Sequence, residues 1–199
     1  MFEKFIDRII EKQVQNNMLK QDDVNIYRYG YILVYEVFLN IILAFVIGMV
    51  FNSLGIVLFF LYIYIPLRSF CGGWHADKIW KCTIVSNFVL ILAALCVKYF
   101  TKQINILILL LLFLIFAINI ICIAPVETKE KRICKEEKKV YRRKIYVIII
   151  MHGIIITILT IFHIKNYIFV IPYAYIILVV FLFFEKMKGT MSEKLCSKK

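Results

Sequence analysis

Acidic residues, glycine and proline are all scarce in this chain. Seven Gly and 3 Pro among 199 residues leave no room for collagen-like material or flexible low-complexity linkers. Charged residues of both signs make up only 19%, while 62% of the chain is hydrophobic. Soluble domains run nearer half apolar, so a water-soluble globule is close to excluded. The shortage of acids also leaves an imbalance, with 25 Lys and Arg against 13 Asp and Glu and a formal net charge of +12. Nucleic-acid binding would account for the charge, but a chain this apolar has little surface for a folded basic face. No nucleic-acid partner is expected. A polytopic membrane protein with its cations gathered in loops accounts for both numbers.

Other absences narrow the class further. The N-terminus carries Glu3, Asp7 and Glu11 among its cations and lacks an uninterrupted apolar core, so it does not read as a cleavable signal peptide. Six cysteines at 71, 82, 96, 122, 134 and 196 are irregularly spaced. Cys96 and Cys122 fall inside apolar runs, which argues against a disulfide framework. The two halves do not repeat one another, so an inverted-repeat transporter is not suggested.

What is present is a series of apolar runs. A helix needs roughly 20 apolar residues to cross about 30 Å of hydrocarbon. The length therefore holds about five to seven spans and no separate soluble domain. The expectation is an all-α, single membrane-embedded domain over residues 1–199. Residues 1–20 read as an amphipathic arm, with Phe2, Phe5, Ile6, Ile9, Ile10 and Val14 at helical spacing. Such an arm either packs on the bundle or lies in the interface, where anionic lipid attracts its cations. Six spans follow, at 31–51, 54–67, 82–100, 104–123, 145–162 and 168–184, with a basic loop at 124–144. The second is short and ends at Pro66 and Arg68, which makes a broken or re-entrant segment after it plausible.

Cation placement sets the expected orientation. The N-terminal arm holds five, the connection after the second span three, the connection after the fourth nine, and the tail five. With six spans, 22 of the 25 cations fall on one side. That predicts a multi-pass protein of the cell membrane with both termini in the cytoplasm. It also puts the stretch from Arg68 to Lys81 on the cytoplasmic side.

That stretch is the unusual one. Between Pro66 and Cys82 lie both Trp residues, the chain's one Gly-Gly pair (Gly72-Gly73), one of three His and two of six Cys. His75 and Cys82 are a candidate base and nucleophile, because a neighbouring imidazole raises the thiolate fraction and can protonate a leaving amine. Seven residues on a straight helix would hold the two about 10 Å apart along the axis, so a dyad requires a bend, loop or tilt. Cys71 lies four residues from His75, with Gly72-Gly73 between them, and spacing alone does not choose the nucleophile. A Cys–His pair at this separation is more often structural than catalytic. Zinc on Cys71, His75 and Cys82 lacks an obvious fourth ligand and standard spacing; no metal and no cofactor are expected.

Other polar residues have blander readings beside their functional ones. Glu36 and Asn40 share a face of the first span at i,i+4 spacing; they either tie helices together or orient an imidazole. His152 lies inside the fifth span, where a hydrogen bond across helices explains it, and His163 reads as interfacial. Asp77 reads as a solvated charge. The basic loop, with Lys129, Lys131 and Arg132 at its start, fits topology and contact with anionic lipid, and equally capture of an acidic peptide.

Arg68, Gly72-Gly73-Trp74-His75-Ala76 and Cys82 together resemble the signature of the AgrB family, the accessory gene regulator protein B of quorum-sensing systems. The amphipathic arm, the broken second span and Ala124-Pro125 opening the basic loop are similar to that family too. The resemblance implies a membrane-embedded cysteine endopeptidase that removes the acidic C-terminal tail of a short amphipathic pro-peptide. It implies that the remainder is held as a thioester and cyclises to a thiolactone or lactone. It assigns His75 as general base and acid, Cys82 as nucleophile, and supporting roles to Arg68, Gly72 and Gly73, with Cys71 a bystander. Lys129, Lys131 and Arg132 are then candidates for binding the substrate tail. Apolar faces on every span leave room for a homodimer.

Two other classes remain open at this level. One is a non-enzymatic peptide transporter or membrane chaperone in which Cys82 and His75 merely pack, and the other is a metalloenzyme. Thiol alkylation of the membrane-bound protein should abolish peptide processing while chelators leave it intact, which an activity assay on treated membranes checks. Chelator sensitivity would select the metal site.

Overall fold

A computed structural model describes residues 2–16, 19, 23–72, 79–126 and 135–196. It holds seven α-helices and no strand among the described residues: α1 (Phe2–Gln15), α2 (Val24–Val50), α3 (Leu54–Cys71), α4 (Ile79–Phe100), α5 (Ile106–Ile123), α6 (Lys135–Ile161) and α7 (Lys165–Cys196). The chain forms two compact units, residues 1–44 and 45–199.

In the first unit the apolar stripe of α1 is packed rather than free. Ile6 and Ile10 are buried together with Leu19, and Val14, Val24 and Tyr31 pack against them. Polar contacts fix the same pairing: Arg28 Nε donates to Asp7 Oδ1 at 2.8 Å and Gln13 Nε2 donates to the Tyr31 hydroxyl at 2.7 Å. The ion pair is 40% and 43% exposed, so it specifies register more than it stabilises. Within this unit the arm therefore packs on the start of α2.

In the second unit five helices are long and apolar enough to cross a membrane: α3, α4, α5, α6 and α7. Their outward faces are rows of large apolar side chains, such as Leu107, Leu111, Leu114 and Ile118 on α5 and Val147, Ile150, Ile154 and Ile158 on α6. The i, i+3/i+4 spacing of each row makes one continuous stripe, suited to lipid and not to water. The first expected span, 31–51, falls on α2, whose described apolar stretch, Val37–Val50, is shorter than the others.

Helix α7 is the hub. It contacts α3, α4, α5 and α6, and 50% of its span is buried, against 22–33% for the other four. Ile168, Val170, Ile171, Ala174, Tyr175, Leu178 and Leu182 are all within 1% of complete burial. Two hydrogen bonds tie it sideways at depth. His152 Nδ1 on α6 and the Tyr175 hydroxyl are 2.9 Å apart, and the Tyr173 hydroxyl donates to the Val89 carbonyl of α4 at 3.0 Å. Phe113 of α5 meets the Tyr175 ring edge-on at 5.1 Å. The buried His152 is thus a cross-helix strut, as its bland reading has it.

Turn chemistry sets where the helices stop. Asn52, at φ 50°, ends α2 in the left-handed region that Asn tolerates, and Ser53 N–H donates back to the Gly48 carbonyl at 2.8 Å. A Cβ on Gly48 would sit 2.8 Å from Leu54 Cα, so this turn closes only around glycine. Asn105 caps α5 by accepting from Leu107 N–H at 3.1 Å.

Two expected boundaries are corrected. The second span does not end at Pro66: α3 runs through it to Cys71, 18 residues in all, or about 27 Å. Proline forfeits one backbone hydrogen bond, but Ile63, Leu67 and Cys71, at 0%, 1% and 0% exposure, bury a continuous face across it. The basic loop of 124–144 is likewise shorter, because α6 starts at Lys135. Glu136 and Glu137 occupy its first turn, where they favour the positive end of the helix dipole. The proposed re-entrant segment falls on residues 73–78, outside the described residues.

A double-mutant cycle on Tyr175→Phe and His152→Ala should give a coupling energy of about 0.6–1.7 kcal/mol. Unfolding of the purified protein in detergent measures it. A coupling of zero would mean that the strut does not hold α6 to α7.

Candidate functional site

Successive helices of the second unit run antiparallel, so the ends of α3, α5 and α7 and the starts of α4 and α6 gather on one side. Backbone and ring contacts bear this out. Val126 N–H, just past α5, donates to the Cys71 carbonyl at the end of α3 at 3.0 Å. Phe70 of α3 meets Tyr141 of α6 edge-on at 5.8 Å, and Lys144 Nζ lies 4.7 Å from the Phe70 ring centroid. At the other end Lys165 Nζ reaches the Lys102 carbonyl at 3.5 Å. Charge divides along the same line. Arg68, Lys81, Lys138, Lys139, Arg142, Arg143 and Lys144 belong to the first end, and Lys98, Lys102 and Lys165 to the second.

Arg68 stands at the centre of the cationic end. Its Nη1 donates to the Tyr64 hydroxyl at 2.7 Å, one helical turn back on the same face. The guanidinium carbon lies 5.2 Å from the Phe181 ring of α7 and 5.7 Å from the Tyr64 ring. Two aromatic faces thus hold a half-buried cation whose planar shape suits stacking. Tyr64 in turn stacks on Phe60 at 5.1 Å, which fixes the whole assembly to the core. Sequence reasoning missed both partners: the i−4 offset to Arg68 is a local signal for Tyr64, whereas Phe181, 113 residues further along the chain, carries none.

Gly72 ends α3. Its φ is 77° and its ψ −150°, a combination that only glycine adopts without strain. Its N–H donates to the Arg68 carbonyl at 3.0 Å. A Cβ placed there would sit 2.6 Å from the Val126 carbonyl oxygen. Glycine is needed twice over, for its backbone angle and for the close approach of Val126. Ala124 and Pro125, which lead into that approach, are both buried.

The remaining sequence-derived residues divide as follows. Cys82 lies in the first turn of α4, but its side chain is outside the described residues. Gly73 and His75 lie outside them as well, and so do Lys129, Lys131 and Arg132. Glu36 is on α2 with its side chain outside the described residues, and Asn40 is half-buried one turn on. Cys71 is completely buried at the end of α3.

The family model described as Accessory gene regulator B matches residues 3–187. An AgrB-like protein of Clostridium perfringens strain SM101 is 30% identical over 145 residues, covering 70% of this chain and 68% of its own length. A second AgrB-like protein, from strain 13 of the same species, is 28% identical with the same coverage. No solved structure matches the chain.

Gly72→Ala should destabilise the protein by about 1–3 kcal/mol through backbone strain, before any cost of displacing Val126. Gly153→Ala, where an added Cβ meets nothing within 4 Å, should be neutral or slightly stabilising, since helix-interior Gly costs about 0.5–1 kcal/mol relative to Ala. Thermal unfolding of the two variants in detergent separates these outcomes. Equal stability would contradict the strained geometry at Gly72.

Proposed function

Because this chain belongs to the accessory gene regulator B family, we propose that it is a membrane-embedded cysteine endopeptidase of the accessory gene regulator system. The observation that carries the reading is the family match over residues 3–187, which spans the whole stretch from Arg68 through Gly72-Gly73 and His75 to Cys82. Its substrate is a short pro-peptide with an acidic C-terminal tail. The cationic end of the bundle supports that choice, because opposite charge steers such a tail toward the helix ends beside the motif.

In this mechanism the His75 imidazole takes the proton of the Cys82 thiol, and the thiolate attacks the scissile carbonyl. The tetrahedral intermediate collapses as the imidazolium returns its proton to the leaving amine. The acidic tail departs with a new amino terminus, and the rest of the peptide stays on Cys82 as a thioester. A Cys or Ser side chain within the held peptide then attacks that thioester, gives up its proton and expels the Cys82 thiolate. The product is a cyclic thiolactone or lactone. Holding nucleophile and thioester in one site favours ring closure by proximity, and limiting water there protects the thioester from hydrolysis. The strong bias of cations toward one side supports a cytoplasmic site, where a newly made pro-peptide is available.

Co-expression with a candidate pro-peptide tests the assignment, with tail release and a covalent peptide adduct read by mass spectrometry. Cys82→Ala and His75→Ala, at normal membrane abundance, should each drop tail release below roughly a thousandth of wild type. Cys71→Ala should retain it. Tail release that survives Cys82→Ala would overturn the nucleophile and bring a non-enzymatic peptide-handling role forward.

A further inference from the structure

The first turns of α6 reach beyond the apolar stretch that follows them. The helix has 27 residues, about 40 Å at 1.5 Å per residue, against about 30 Å of hydrocarbon. Its far end is apolar and open, with Ile161 and Phe162 at 69% and 70% exposure. Counted back from Ile161, Val147 stands about 21 Å along the axis, Arg143 about 27 Å and Lys139 about 33 Å. Arg143 therefore stands at the edge of the hydrocarbon and Lys139 in the headgroup layer beyond it.

Helix geometry settles which way these cations face. Val147, Ile150, Ile154 and Ile158 form the exposed, lipid-facing row, and Arg143 and Lys139 continue it by one turn and by two. Arg142 lies one turn before Tyr146, which is 47% exposed. All three cations are exposed. The opposite face is closed. Ile145, Ile148 and His152 are buried on it, and Tyr141 and Lys144 sit on the Phe70 ring of α3. Those contacts fix the rotation of the first turns, so Lys144 turns to the bundle while Lys139, Arg142 and Arg143 turn to lipid. Among the described residues none pairs with these three. Glu136 is on the same row, but about 10 Å further out than Arg143, in the first turn, where the helix dipole favours it.

We infer that Lys139, Arg142 and Arg143 form a docking surface for the headgroup phosphate of an anionic diacyl phospholipid in the leaflet at the cationic end. The occupant follows from the continuity of two surfaces. A ligand resting here meets the cations and the apolar row below them together, which calls for a phosphate with acyl chains attached. A soluble anion or an acidic peptide would use the charge alone. Arginine supplies forked donors that match phosphate oxygens, and Tyr146 stands at the level where aromatic side chains settle between chains and headgroups. Bound phosphate holds the start of α6, and through Phe70 the end of α3, at a fixed height in the membrane. The inference does not depend on the peptidase reading.

The test gives the full-length protein, in neutral detergent, an equal mixture of phosphatidylglycerol and phosphatidylcholine and counts bound lipid by native mass spectrometry. Each cation beside anionic lipid contributes about fivefold in affinity. Wild type should therefore retain phosphatidylglycerol over phosphatidylcholine by at least about tenfold. Lys139→Gln/Arg142→Gln/Arg143→Gln should lower that preference about tenfold or more. Lys98→Gln/Lys102→Gln/Lys165→Gln loses the same charge at the other end and should change it less than about twofold. Arg142→Gln alone and Arg143→Gln alone should each lower it about fivefold, a reading that survives if the first triple variant does not fold. A wild type without preference, a preference kept when the three α6 cations are removed, or an equal loss in both triple variants overturns the surface. So does displacement of the lipid from wild type by millimolar inorganic phosphate or by a short acidic peptide, since either would make this a site for a soluble anion.

Discussion

Burial of α7 among four other helices is the constraint on which the second unit depends. Hydrocarbon supplies no drive to bring apolar helices together, so association rests on close packing and on the few polar groups that find partners across helices. Tyr175 supplies both. Its ring fills the space against Phe113 and its hydroxyl meets His152, so α5, α6 and α7 share one fixed point. Tyr173 extends the same logic to α4 through the Val89 carbonyl, and Phe181 extends it to α3 through Arg68. One helix thereby touches the other four helices, α3 to α6, and carries the residues that set their heights relative to one another.

The cationic end inherits its order from that hub. Arg68 is stacked because α7 brings Phe181 to the same level as the last turns of α3. Phe70, one turn from the opposite face, is covered by Tyr141 and Lys144 of α6, so α6 must begin well before its apolar run. This explains why part of the expected basic loop is helical: the first turns of α6 have something to pack on. Charge is concentrated here without being loose, since part of it lies against aromatic rings. A peptide bearing carboxylates would meet an electropositive rim built on rigid helix ends, next to the glycine that closes α3.

Gly72 shows how a motif residue acquires a physical meaning. The Gly-Gly pair is visible in the chain as a permissive spot, and a resemblance to AgrB marks it as supporting. Neither says what it supports. The backbone angle of 77° and the close Val126 carbonyl do, because they convert a generic glycine into a position where a methyl group has no space. Pro66 makes the opposite point. Read locally it stops a helix, yet α3 continues, since three buried side chains on one face outweigh one missing hydrogen bond.

The sequence by itself determined that the protein is helical, membrane-embedded and basic at one end. Apolar run length and cation placement answer to the bilayer, and the bilayer acts on each segment separately. The turn at Asn52–Ser53, left between the runs 31–51 and 54–67, was legible for the same reason, as its energetics are local. The chemistry-bearing stretch stood out by composition alone. Only the tertiary structure decided that α1 turns its apolar stripe onto α2, that α7 is the central helix, that Arg68 lies between two rings, and that Gly72 meets Val126. Each of these is a contact between residues far apart in the chain. Such contacts are selected by packing, which depends on how side chains interlock across helices and leaves no periodic trace in any one of them.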